Sequence, residues 1–299
     1  MPLFKYLHPD RIDVLHGRSI RFSSPAVLND PFELKPHLAA LASPEHMESE
    51  IALRFPELVR EELEKLPLEV RSLVSAEALQ ELLLHQLPQM KRNIQDMAEI
   101  LAPKLQDVMA RKLEELIGIL CLTESADNLL MWAHYADSHR GFVIEFDEYS
   151  PFFDRRVSPD DELRHLRKVS YNAKRPSLTL ADVEDFSSLM TKGTDWQYEA
   201  EWRMMMPLDA ASKIVKNGPH AVHLYKFPAD AITSVILGCR MDAQKKEEIK
   251  QVLADSPQFE HVRCVEAEID NEHYRVRVPL ATANPSFNTD WRDKAAPAG

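Results

Sequence analysis

Glycine is scarce in this chain: seven residues in 299, beside twenty prolines. A dinucleotide loop or a phosphate loop needs closely spaced glycines, so that backbone N–H groups can approach a phosphate, and neither pattern occurs. Cysteine is scarcer still. Cys121, Cys239 and Cys264 are the only three, with no C-x-x-C spacing, which excludes a disulfide framework and a zinc knuckle and fits reduced intracellular thiols. Cys121 and Cys264 lie in apolar or β-like runs and read as core residues. No stretch reaches the ~18 apolar residues that span a bilayer. The first residues, Met1-Pro2-Leu3-Phe4-Lys5, lack the long apolar region of a signal peptide. A serine-elbow motif and an H-E-x-x-H motif are also missing. The expectation is a soluble cytoplasmic protein with no membrane partner.

Positive charge is in the minority, with 36 Lys and Arg against 48 Asp and Glu, for a formal net charge of -12. That balance argues against non-specific nucleic-acid or anionic-membrane binding as the main activity, while leaving room for a local basic site. The apolar fraction, 44%, is ordinary for a globular chain long enough to bury a sizeable core.

The chain opens with a short apolar strand over 3–7, a helix over 9–17 closed by Gly17, and a strand over 19–24. In that strand Ile20 and Phe22 face the core, and Arg21 shares the opposite face with Ser19 and Ser23. Asn29-Asp30-Pro31-Phe32-Glu33 is a turn signal, either a structural Asx turn or a loop aiming polar groups into a pocket. From about 43 to 117 glycine vanishes, and apolar residues recur at spacings of three and four. This predicts a helical insertion of about five helices, with Pro44, Pro56, Pro67, Pro88 and Pro103 at their starts and the Met and Leu stripes as core. His46 and His85 read as isolated surface or packing residues.

Residues 118–123 form a strongly apolar central strand, followed by N-cap residues and a helix over 128–136. That helix is apolar nearly all round, so it is expected to be buried, yet it carries Trp132, His134 and Tyr135. Asp137 is placed to orient His134. Strands follow at 142–146, 221–227, 231–238, 261–269 and 274–280, with helices at 181–190 and 242–254. Residues 150–178 are polar and locally basic, a solvated loop or helix or else an anion-binding lid, with a short strand at 168–171. From Ala281 the chain reads as a loose tail, 281–299. The fold class is α+β: one domain over 1–299, with a mixed or split β-sheet core and a helical insertion at about 43–117.

The densest stretch is Trp196-Gln197-Tyr198-Glu199-Ala200-Glu201-Trp202-Arg203. As a strand it puts Glu199, Glu201 and Arg203 on one face, with Tyr198, Ala200 and Trp202 toward the core. Two carboxylates so close repel unless a cation or substrate lies between them. Arg203 is one such cation, and the alternative is a Glu-x-Glu catalytic edge. Three chemistries fit the candidate residues Arg21, Asn29, Asp30, Trp132, His134, Tyr135, Glu199, Glu201 and Arg203. The first is group transfer from a nucleotide cofactor. There Glu201 or Glu199 stabilises an oxocarbenium-like centre, Tyr135 or Trp132 stacks on the leaving base, and Arg21 holds a diphosphate. The second is metal-dependent phosphodiester hydrolysis, as in a nuclease, with Asp30, Glu33, Glu199 and Glu201 as oxygen ligands. The third is a non-catalytic interaction protein in which these side chains form a rigid polar core.

Four blocks carry a resemblance. They are Asn29-Asp30-Pro31-Phe32-Glu33, Cys121-Leu122-Thr123-Glu124, Met131-Trp132-Ala133-His134-Tyr135-Ala136, and Trp196 through Arg203. In this order they resemble a bacterial family catalogued as a domain of unknown function. The likeness covers roughly 1–33, 118–147, 165–205 and 221–240, leaving the helical insertion outside. At a further remove, the opening strand–helix–Gly–strand unit, the central strand entering a Tyr-bearing helix, and Glu199-Ala200-Glu201 are similar to ADP-ribosyltransferase domains. That resemblance implies NAD as cofactor and a macromolecular acceptor, protein or nucleic acid, in a bacterial toxin or defence effector. It makes Glu201 the catalytic carboxylate, has Glu199 orient the acceptor and Tyr135 line the nicotinamide site, and puts Arg21 on NAD phosphate or ribose. The chain departs from that pattern in having Thr123-Glu124-Ser125 where those domains have Ser-Thr-Ser, and in offering Lys5, His8 and Arg21 for one first-strand position.

Overall fold

In a computed structural model, which describes residues 1–182, 186–216 and 218–279, the chain divides into two compact units. The first comprises 1–16, 125–147 and 229 onward; the second comprises 17–124 and 148–228. In chain order the elements are β1 (Leu3–Leu7), α1 (Asp13–Gly17), β2 (Ser19–Phe22), β3 (His37–Ala40), α2 (Pro44–Lys65), α3 (Leu68–Arg71), α4 (Ala76–Leu116), β4 (Ile117–Thr123) and α5 (Leu129–Tyr135). There follow β5 (Phe142–Phe146), β6 (Arg167–Lys168), β7 (Ser170–Asn172), β8 (Ser177–Thr179), β9 (Thr191–Gly193), β10 (Glu201–Pro207), β11 (Lys213–Val215) and β12 (Val222–Lys226). The last are β13 (Ile232–Leu237), α6 (Ala243–Ala254), β14 (Arg263–Glu266), β15 (Glu268–Ile269) and β16 (Val276–Arg277). Helices and strands segregate as in an α+β fold with a mixed sheet. The expected loose tail over 281–299 lies outside the described residues.

In the first unit β5 is central. It pairs antiparallel with β1, Leu3 opposite Phe146, and antiparallel with β13, which pairs parallel with β14. The parallel pair needs a crossover, and α6 supplies it, burying Ile249 and Leu253. Because both faces of β5 and β13 are covered, their sequences are nearly continuous apolar runs: Phe142, Val143, Ile144, Phe146, Val235, Ile236 and Leu237 are all buried. The chain enters β5 through Asp137, Ser138 and His139, all left-handed with φ of 46°, 52° and 69°. Gly141 ends this bend because nothing larger fits: a Cβ there would lie 2.0 Å from the Leu7 carbonyl oxygen.

In the second unit β10 pairs antiparallel with β4 along seven residues and with β6 on its other edge. A second sheet has the order β2, β12, β11, and the Phe22 and Tyr225 rings meet at 4.4 Å between centroids. The two short parallel pairs are β7 with β9 and β3 with β8. Leu34, Ile119, Val169, Leu189, Met190 and Met205 form one buried apolar cluster. The short strand expected at 168–171 is present as β6 and β7 on either side of Val169, and the rest of the 150–178 segment, expected as a solvated loop or helix, adds the start of β8. Where a helix was expected over 181–190, only single 3-10 turns form at Leu180–Asp182 and Ser187–Met190 among the described residues.

The insertion is helical, as its spacing predicts, but it holds three helices rather than five. Pro44 does start α2 and Pro67 caps α3, whereas Pro56, Pro88 and Pro103 sit inside helices. Each deletes one backbone bond, and the surrounding Leu, Glu, Gln, Lys, Met and Ala residues are strong enough helix formers to carry the helix past it. The expectation that the Met and Leu stripes are core holds only in part: Leu79, Leu83, Leu87, Leu105, Met109 and Leu113 are half-buried, Leu113 against the apolar cluster of this unit, whereas Leu82, Val108 and Leu116 are exposed. Of the residues in α2 and α4, only Val59 and Ala102 are buried.

Substituting Gly141→Ala is expected to destabilise the protein by about 3 kcal/mol, through a forced backbone shift at Leu7. A thermal or urea melt measures it, with Gly193→Ala, whose Cβ would meet only the Trp196 ring at 3.9 Å, as the mild control.

Candidate functional site

The Asn29–Glu33 turn is an Asx turn. The Asp30 carboxylate accepts from the Phe32 N–H at 2.9 Å, and the Glu33 N–H donates to the Asp30 carbonyl at 3.1 Å. Leu34 follows with φ of 50°, which sharpens the reversal. The turn carries the buried Glu33 inward to Arg203 on β10.

The strand at the centre of the site is shorter than its alternation suggests. Thr194–Glu199 is a 3-10 helix, Ala200 is left-handed at φ 42° and ψ 54°, and the strand begins only at Glu201. Alternation therefore holds from Glu201 onward, putting Glu201 and Arg203 on one face, and that charged face is buried, as are Met204 and Met206 on the other. Arg203 is 1% exposed and Glu201 3%, while Trp202 is only half-buried. Glu199 reaches the same place through the Ala200 kink and not through strand periodicity.

Arg203 uses all five of its N–H donors. Nε donates to Glu201 Oε1 at 2.6 Å and Nη2 to Glu201 Oε2 at 3.0 Å. Nη1 donates to Glu33 Oε1 at 2.5 Å and Nη2 to Glu33 Oε2 at 2.9 Å. The fifth bond, from Nη1, goes to the Leu189 carbonyl at 3.4 Å. Two bidentate forks on one guanidinium are the geometry that a planar cation permits and an ammonium does not. Lys192, on β9, bridges the other side. Its Nζ donates to Glu199 Oε2 at 2.6 Å and Glu201 Oε2 at 3.2 Å, and lies 3.9 Å from Glu33. It also sits 4.7 Å from the centre of the Trp196 ring. The Tyr171 hydroxyl accepts from the Glu201 backbone N–H at 2.8 Å.

Three carboxylates thus share two cations in a nearly dry interior. Burial pushes the Glu201 carboxyl up, but the Arg203 charge and hydrogen bonds and the Lys192 charge outweigh it and hold Glu201 well below the usual carboxylate range. Glu33 moves the other way: burial, aided by the Glu201 charge, raises it despite Arg203 and Lys192. Burial opposes the charge on Lys192, yet Glu201 and Glu199 hold its pKa above the ordinary lysine value. Burial is also the main cause that lifts the Tyr171 hydroxyl to about 12.

Around this network Asp30, Phe32, Lys174, Arg175, Lys192 and Trp196 line a pocket of about 380 Å³. Arg175 lies over the Phe32 ring at 5.5 Å and donates from Nε to the Lys35 carbonyl at 2.9 Å. Behind β10, the Trp202 indole N–H and Lys168 both donate to Glu124, at 2.8 and 2.6 Å.

Of the residues singled out in the sequence, Glu199, Glu201 and Arg203 meet in this network, with Asp30 beside it in the pocket wall. Asn29 directly precedes the Asx turn that Asp30 makes. Arg21 is on β2, opposite Leu224 in register; burial, with the Arg21 charge, holds the His223 imidazole below its usual pKa. Trp132, His134 and Tyr135 belong to α5 in the first unit. That helix is not buried all round: Met131 and Trp132 are, whereas Leu130, Ala133 and His134 are exposed. A helix of seven residues, about two turns, has one inward stripe, and the other side faces solvent however apolar it is. Trp132 is wholly enclosed, edge-on to Tyr6 at 5.2 Å, with its indole N–H donating to the Ala126 carbonyl at 2.9 Å. Asp137 lies 4.0 Å from His8 and 3.7 Å from Arg140. Lys192 was not legible as a site residue, since no spacing rule links it to Glu199 and Glu201. Of the carboxylates proposed as metal ligands, Glu33, Glu199 and Glu201 are turned toward Lys192 and Arg203 while Asp30 accepts from the Phe32 N–H, and among the described residues no group of three or more His, Cys, Asp or Glu is placed to hold a metal ion.

Residues 131–204 match the model of a family described as a protein of unknown function, DUF2971. That span takes in the block at Met131–Ala136 and the Trp196–Arg203 stretch. No curated protein and no solved structure matches the chain.

Glu201→Gln removes one carboxylate from a buried ionic network and leaves Arg203 undercompensated, so a loss of about 3 kcal/mol of stability is expected. Because the folded pKa of Glu201 is depressed, its contribution is complete above the ordinary value of 4.5 and is lost as pH falls through the folded pKa. Glu33, raised in the fold, works in the opposite sense, contributing fully below 4.5 and less as pH rises through its folded value. Urea midpoints measured below pH 4.5 should therefore fall steeply in the wild type and less steeply in Glu201→Gln. Arg203→Lys should be nearly as damaging as Arg203→Met, since one ammonium cannot make two bidentate forks.

Proposed function

We propose that the chain is an ADP-ribosyltransferase-like enzyme that acts on NAD in the cytoplasm as a bacterial toxin or defence effector, with the pocket beside β10 as its cofactor cavity. The observation that carries this reading is the meeting of Glu199 and Glu201 with Lys192 at the wall of a polar pocket that also presents two aromatic faces and two further cations. Phe32 and Trp196 offer stacking surfaces for a base, and Lys174 and Arg175 offer charge for a diphosphate. In the reaction the C1′–N glycosidic bond of NAD breaks and nicotinamide leaves neutral with the bonding electrons. An acceptor nucleophile bonds to C1′ and gives up its proton.

The carboxylate we assign to the reaction is Glu199. Both it and Glu201 accept from Lys192, which is part of the pocket wall, but Glu201 is also held in the Arg203 fork. This shifts the expected catalytic role from Glu201 to Glu199. Glu201 becomes a positioning residue that holds Lys192 and the start of β10. As a cationic ribosyl centre develops, it competes with Lys192 for Glu199, so the lysine must turn away for the transition state to be stabilised.

A second reading, a non-catalytic interaction protein, is favoured by one specific observation: Arg203 has no donor left over and the Glu201 carboxylate is almost wholly enclosed. A network so completely satisfied serves rigidity without any reaction.

The two readings separate when the full chain is incubated with labelled NAD and total cell lysate. Transfer of label and release of nicotinamide, both reduced about a hundredfold or more in Glu199→Gln, are expected for the enzyme. Wild-type protein that neither binds NAD by calorimetry nor releases nicotinamide overturns it and leaves the interaction protein.

A further inference from the structure

A second cavity lies in the same unit, against the C-terminal part of α4. It has a volume of about 270 Å³ and an almost wholly apolar wall, to which Leu34, Leu38, Met109, Leu113, Leu178 and Leu189 contribute. Leu34, Leu38 and Leu189 are buried, whereas Leu116 and Phe186 on the same wall are exposed, so the cavity opens to solvent on their side. Four polar residues belong to the described wall, and two of them are already engaged. Gln106 accepts from the Leu38 N–H at 3.0 Å, and the Lys112 ammonium donates to Glu115 at 2.6 Å. The other two are not. Lys35 Nζ stands 3.9 Å from the Glu114 carboxylate, beyond hydrogen-bond range. The half-buried Ser188 hydroxyl bonds to no described residue. Lys35 and Ser188 also line the polar pocket beside β10, so they stand where the two cavities adjoin.

We infer that this cavity binds a medium-chain carboxylate, with its hydrocarbon chain among the leucines and its head group at Lys35 and Ser188. The interior selects the chain. A polar ligand would leave its own donors and acceptors unmet against leucine and methionine side chains, which costs more than its burial returns. An apolar cavity of about 150 Å³ stays dry and takes up benzene, so by proportion this one holds a chain of about ten carbon atoms. The junction selects the head. A cation with no carboxylate in bonding range and a hydroxyl with no acceptor are both donors, and an ionised carboxylate accepts only, with one oxygen for each. An occupant also bears on the ionic network. Leu34 directly follows Glu33, and Leu189 supplies the carbonyl that takes the fifth Arg203 bond. The inference stands apart from any reaction of NAD at the polar pocket.

Calorimetry of the full chain with octanoate should show one saturable site. Each methylene added from hexanoate to decanoate should lower the dissociation constant about fourfold. Octanol, which has the same chain and no charge, should bind about tenfold more weakly. Lys35→Met removes the cation and should erase the preference for octanoate over octanol, with circular dichroism and melting temperature unchanged because the side chain is half-exposed. Ala110→Leu, on the α4 side of the wall, occupies part of the cavity with a good helix former and should weaken octanoate and octanol alike by about thirtyfold or more. Lys35→Met and the chain-length series keep the test independent of whether Ala110→Leu folds. A wild-type chain that takes up no octanoate overturns the proposal, as does binding indifferent to chain length or to a folded Ala110→Leu. Equal binding of octanol and octanoate, or a preference that survives Lys35→Met, overturns the carboxylate as the ligand.

Discussion

The guanidinium of Arg203 is the one group on which the second unit's interior depends. It is a permanent charge held at 1% exposure, which is tolerable only because every N–H is matched and two carboxylates flank it. The matching draws in chain segments that are distant in sequence. Glu33 comes from the Asx turn after β2, Leu189 from a 3-10 turn, and Glu201 from the start of β10 itself. Lys192 then ties Glu199 to the same cluster from β9. Remove the cation and Glu33 and Glu201 lose their principal neutraliser, so the turn and the start of β10 lose the reason for their alignment together.

Such a network has two uses that oppose each other. Complete pairing rigidifies and specifies, yet it lowers the availability of any one carboxylate to a substrate. The arrangement divides the labour spatially. Arg203 closes the deep side permanently, while Lys192, stacked beside Trp196 at the pocket wall, is the cation that a competing positive charge can displace. The two cations differ in kind as well as place. Arg203 is fixed by planar forks, and Lys192 is a point charge on a flexible stem whose direction can change.

The helical arm follows a different logic. Its buried stripe is narrow, because a two-helix hairpin has little interior, and the remaining apolar residues lie at heptad spacing on the solvent side. Periodicity of three and four is common to a helix packed on its own core and to one packed on a copy of itself. Spacing alone does not choose between them. Exposure with α2 in place sorts the residues instead: Leu79, Leu83, Leu87, Leu105, Met109 and Leu113 are half-buried, whereas Met90, Ile94, Met97 and Leu101 face solvent.

What the amino-acid sequence determined by itself was whatever local periodicity and turn chemistry dictate. The α+β class, the helical character of 43–117, the Asx turn at Asp30 and the shared face of Glu201 and Arg203 all rest on neighbours within a few residues. What only the tertiary structure decided was which charges meet. Ala200 turns left-handed, so Glu199 arrives by a kink that strand alternation does not describe. Glu33 meets Arg203 across 170 positions of chain, and Lys192 has no spacing rule that marks it. The interior sign of the face was likewise undecidable in advance: alternation separates two faces of a strand, but a charged face turns inward only when partners from elsewhere in the chain satisfy every donor.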